Sequence, residues 1–77
     1  MSRQTAADRR FERRGRVAKL RHAVDKMAQR QALSEFNNGM WSGLGDQDKS
    51  QRYWRAARRQ RKAFWRLLDA LEAEAAR

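Results

Sequence analysis

The 77-residue chain contains no proline, and three of its four glycines fall inside one stretch, EFNNGMWSGLGDQD at 35–48. Sharp helix breakers are therefore concentrated in one place. This distribution predicts two helical segments, 17–36 and 48–76, joined by a loop at 37–47. Residues 1–16 precede them as a basic arm, and 17–77 form the hairpin. Asn37, Asn38 and Gly39 offer left-handed ends for the first helix. Asp48 followed by Gln51 suits a capping box for the second, with Asp46 as the alternative N-cap. No run alternates with period two, so strands are not expected. The expected class is all-α, a two-helix antiparallel hairpin with a basic N-terminal helical arm.

Size limits what such a chain can bury. A domain this small buries only about 60% of its unfolded surface and commonly needs a disulfide, a metal or a partner. There is no cysteine, and the single histidine, His22, does not make a zinc site. A homodimer, closing as a four-helix bundle, or a host partner is thus an open option from size alone.

The second segment is amphipathic: Tyr53, Ala57, Phe64, Leu67, Leu68, Leu71 and Ala75 fall within an arc of about 100°. In the first, an apolar stripe runs through Val17, Leu20, Val24, Met27 and Ala28, with Phe36 near the end. Carried back along that stripe, positions 9, 10, 13 and 16 are all arginine. The arm is expected to have no face that could enter a core. Folding about 37–47 would pair 17–36 with 48–68 and set Asp69, Glu72 and Glu74 beside the arginines.

Charge is the strongest global property. Fifteen arginines and four lysines against nine acids give +10, with an isoelectric point near 11.6. Guanidinium is a planar fork matched to phosphate and able to stack on bases, whereas lysine is a point charge. So basic a chain points to a polyanionic partner, nucleic acid above all. No apolar run reaches the roughly 18 residues of a membrane span, and the N-terminus lacks the apolar stretch of a secretory signal. A cytoplasmic location without membrane association is expected. With no Ser/His/Asp set, no metal-ligand cluster and no phosphate-cradling glycine loop, neither an enzyme nor a cofactor is expected.

Three stretches carry candidate sites. RRFERRGR, 9–16, offers Arg9, Arg10, Arg13, Arg14 and Arg16 to phosphates; the alternative is pairing with Glu12 and the C-terminal acids. RYWRAARRQRKAFWR, 52–66, adds Arg55, Arg58, Arg59, Arg61, Lys62 and Arg66 on one helix face. Trp54 and Trp65, eleven residues apart, border that face as candidate base-stacking platforms; the alternative is that both indoles cover the flank of a small core or a dimer seam. FNNGMWSGLG supplies Phe36, Met40, Trp41 and Leu44, which either plug the closed end of the hairpin or form a protein contact.

Thr5 and RRFERR resemble the arginine-rich RNA-binding segment of the N-type transcription antitermination proteins of lambdoid phages, which carries a similar R-R-x-E-R-R core. The likeness covers about a sixth of the chain, and Gly15 interrupts it where a helix would continue, at about 1 kcal/mol relative to alanine. It implies that Arg9, Arg10, Arg13 and Arg14 contact RNA phosphates and bases.

These features favour a small basic nucleic-acid-binding regulator of transcription, with RNA slightly ahead of DNA. The alternative is a phage-type inhibitor or adaptor that binds a host nucleic-acid machine, such as a transcription or defence complex, with its basic surface on an acidic patch. A membrane-surface helix ranks third, because the apolar arc carries too little bulky surface.

Overall fold

Thr5 opens the first helix. In the computed structural model, which describes residues 5–76, its hydroxyl accepts from the backbone N–H of Asp8 at 3.1 Å. The Asp8 carboxylate in turn accepts from the backbone N–H of Thr5 at 3.2 Å. This reciprocal capping box satisfies two otherwise unpaired donors, and α1 runs from Ala6 to Gly43 without interruption. The second helix, α2, spans Gln47–Ala75, and among the described residues there are no strands. Asp46 is its N-cap, accepting from the backbone N–H of Lys49 at 3.0 Å. The hairpin is therefore all-α, as its composition implies, but its boundaries differ from those expected.

The expected loop at 37–47 is mostly helix. Asn37, Asn38 and Gly39 do not end α1, which continues to Gly43 and leaves only residues 44–46 as the connection. The N–H of Asp46 bonds to the carbonyl of Trp41 at 3.0 Å and that of Gly45 to Ser42 at 3.1 Å. These two bonds define a Schellman closure. Gly45, at φ +80°, is the residue that needs the left-handed region. The arm at 1–16, as far as it is described, is not a separate unit but the first turns of α1; its residues 1–4 lie outside the described range. Asp48 sits in the first turn of α2 and does not cap it.

Three polar links fix the register of the hairpin. The Asn38 side chain reaches Ser50, Ser34 bonds Gln60, and Arg16 meets Glu74. The pairing thus runs from 16–41 against 50–74, not from 17–36 against 48–68. Its open half holds the half-buried Val17, Leu20, Val24 and Met27 of α1 against Phe64, Leu67, Leu68 and Leu71 of α2. Toward the turn the facing residues become small and polar, and the buried ones there are Ser34, Ser50 and Ala57. Phe36 leaves the stripe: nine residues past Met27 is half a revolution of a continuous helix, and Phe36 is 69% exposed. Its inward place is taken by Gln31, Ser34, Asn38 and Trp41.

The Cα trace extends 62 × 20 × 14 Å. At the open end α1 outreaches α2, because Glu74 lies level with Arg16. Residues 6–12 are all exposed and form a helical overhang of about 10 Å at 1.5 Å per residue.

Candidate nucleic-acid interface

Arg52, Arg55, Arg59, Lys62 and Arg66 follow one another at separations of three and four residues. That spacing holds them on one helix face, and all five are exposed. The face is opposite the one that packs on α1, where Ala57 and the half-buried Phe64 and Leu71 lie. At 1.5 Å per residue the file is about 21 Å long. No acidic residue occurs from Lys49 to Arg66 to neutralise it. Arg52 was not among the residues expected to bind, although its three-residue offset from Arg55 places it in the same file.

Arg58 and Arg61 belong to one flank of α2, together with both tryptophans. Trp54 and Trp65 are each 52% exposed, so neither indole is spent on a core. The Arg58 guanidinium carbon lies 5.5 Å from the Trp54 ring centroid, a cation–π arrangement that orders both groups at the surface. Trp65 meets Phe64 edge-on, with centroids 5.7 Å apart and an interplanar angle of 76°. One edge of Trp65 is thereby braced while about half of it stays open. Beside Trp54, a shallow groove toward α1 is lined by Glu35, Asn38, Ala57, Arg58 and Arg61.

On α1, Arg9, Arg10, Arg14 and Arg16 are exposed, whereas Arg13 is half-buried. The expectation that no arm residue approaches a core fails at Arg13, which lines an open trough at the end of α2 with Val17, His22 and Glu74. Arg9 stands one turn further out on the same face, beyond the last turn of α2. The Arg16 Nε lies 3.5 Å from the Glu74 carboxylate, with the arginine side chain half exposed. Asp69 and Glu72 do not lie along the arm: the deeper register sets the end of α2 against 13–17, and both acids are exposed on it.

The residues around the turn separate into two groups. Trp41 is half-buried, and the Lys49 ammonium sits 4.1 Å above its ring, so it closes the end of the hairpin. Phe36, Met40 and Leu44 are 69%, 40% and 69% exposed and do not plug it. Leu33, at 62%, continues their line along the outside of α1; it too was missed, because nine residues past Val24 sets it half a revolution from the apolar stripe.

Among the described residues no cluster of His, Cys, Asp or Glu could hold a metal ion, and no helix is long and apolar enough to cross a membrane. No family model matches the chain, and no curated protein or solved structure shows significant similarity to it.

Proposed function

We propose that this protein is a small nucleic-acid-binding regulator that grips the phosphate backbone through arginine-rich helix faces. The observation that carries the reading is the file of five exposed cations from Arg52 to Arg66, set on a rigid helix. A file of about 21 Å matches roughly six phosphates of one strand at 3.4 Å per nucleotide. Arg9 and Arg10 on the overhang, Arg14 just behind it, and Arg58 and Arg61 on the flank of α2 add to the exposed basic surface. Binding of this kind releases condensed counterions and selects for charge and shape before sequence.

Two features support RNA over duplex DNA. The half-exposed Trp54 and Trp65 offer stacking surfaces that only unpaired bases can use. The likeness of 9–14 to the antitermination RNA-binding segment points the same way, and the capping box at Thr5 would hold that segment helical as it enters a groove. In this reading the protein acts as a regulator, by occupying a transcript or recruiting a second factor to it.

The test is fluorescence anisotropy with a single-stranded RNA, an RNA hairpin and a DNA duplex of equal length. Arg55→Glu with Arg59→Glu should weaken binding to all three by at least about tenfold, since each reversal removes a phosphate contact and adds repulsion. Helical circular dichroism should be unchanged, because both side chains are exposed. Binding that is unaffected by this pair of reversals would exclude the α2 face as the interface.

A further inference from the structure

Leu33, Phe36, Met40 and Leu44 form an apolar strip on the outside of α1, at separations of three, four and four residues. Their exposures are 62%, 69%, 40% and 69%. They face away from α2, so intramolecular packing leaves them uncovered. The inward positions of the same segment are Ser34, Asn38 and Trp41. Apart from Trp41, the turn half of α1 is thus inverted relative to an ordinary core helix, with small polar residues inward and bulky apolar ones outward.

The chain as a whole is short of buried surface. A folded monomer of 9.1 kDa exposes about 4,900 Å² on the usual size scaling, whereas this chain exposes 6598 Å². Its Cα radius of gyration is 18.2 Å, against about 11.5 Å for a compact 77-residue domain. The surplus of about 1,700 Å² exceeds the roughly 800 Å² that each partner contributes to a standard interface.

We propose that the strip is a dimer interface and that its occupant is a second copy of this chain, packed antiparallel about a two-fold axis. The strip is self-complementary in that orientation. An axis passing midway between Leu33 and Leu44 sets Leu33 opposite the second copy's Leu44, and brings Phe36 to its Met40. An isologous contact of this kind closes on itself and does not propagate into fibres. It also leaves both α2 cation files facing outward and sends the two arginine overhangs to opposite ends. Two copies carrying +10 each are thereby joined through their least basic surfaces.

The measurement is the solution mass of nucleic-acid-free full-length protein by light scattering at moderate salt. The wild type should have twice the 9.1 kDa chain mass. Phe36→Glu and Met40→Glu should each run as monomers with unchanged helicity, their self-association weakened by at least about 100-fold, as expected for central anchor positions. A wild type that stays monomeric at sub-millimolar concentration would overturn the proposal and leave the strip to an unlike protein. A dimer that survives both glutamate substitutions would overturn it too. Because no nucleic acid is present, either outcome is independent of whether the cation file binds RNA.

Discussion

Asn38 and Ser50 are joined by three hydrogen bonds across the hairpin. The Asn38 Nδ2 donates to the Ser50 carbonyl at 2.7 Å and to its Oγ at 3.0 Å. The Ser50 hydroxyl donates back to the Asn38 carbonyl at 3.3 Å. Ser50 is only 6% exposed, so water cannot readily replace the asparagine. Asn38→Ala should therefore cost about 1–3 kcal/mol, the penalty of leaving buried polar atoms unpaired. Urea denaturation followed by circular dichroism checks this, and a loss below a few tenths of a kcal/mol would mean the link does not hold the register.

The Ser34–Gln60 bond, at 2.7 Å with Ser34 7% exposed, responds differently to single and paired changes. Ser34→Ala alone should cost about 1 kcal/mol by stranding the Gln60 carbonyl oxygen. Adding Gln60→Leu should recover most of that loss, since both polar partners are then gone. A double-mutant cycle in urea measures the coupling.

Glycine substitutions separate the true turn from the false one. Gly39 lies within α1, and an added Cβ there meets nothing within 4 Å. Gly39→Ala should stabilise the protein by about 0.5–1 kcal/mol. Gly45 also has open space, but its φ of +80° disfavours any side chain. Gly45→Ala should destabilise by about 1 kcal/mol, and thermal melts of the two variants should shift in opposite directions.

Trp54 and Trp65 test the preference for unpaired bases. Trp54→Ala should weaken single-stranded RNA binding by about 1–3 kcal/mol, the usual worth of one base–aromatic stack. Duplex DNA affinity should change little, because paired bases offer no open face. Equal losses on both ligands would show that the indole supports the fold or the Arg58 position and does not stack on a base.

The two helices and the basic face were legible in the sequence because both are periodic. Arg55, Arg59, Lys62 and Arg66 recur at helical spacing whatever the partner helix does. The end of α1 was not legible. Asn37, Asn38 and Gly39 carry a strong local C-cap signal, yet Asn38 spends its amide on Ser50, twelve residues away, and the helix continues. Three glycines competed for the turn, and only the Schellman bonds identify Gly45. That displacement of seven residues shifted the register and drew Asp69 and Glu72 away from the arginine arm, whereas Phe36 and Leu33 are outside because each lies nine residues, half a revolution, past a stripe residue. The pairing of Glu74 with Arg16 is a part of that expected acid–arginine contact that the fold does form.

On the proposed function, the exposed arginine files bind a polyanion by displacing its counterions. The most direct measurement is the apparent affinity for single-stranded RNA as a function of salt, from about 50 to 200 mM. Engagement of five or more phosphates predicts a slope of log K against log salt of about −3.5 or steeper. Removing Arg55 and Arg59 should flatten that slope by about 1.4 at the single-strand increment of 0.7 per contact. Binding that is tight but indifferent to salt, or a slope unchanged in the variant, would contradict the account.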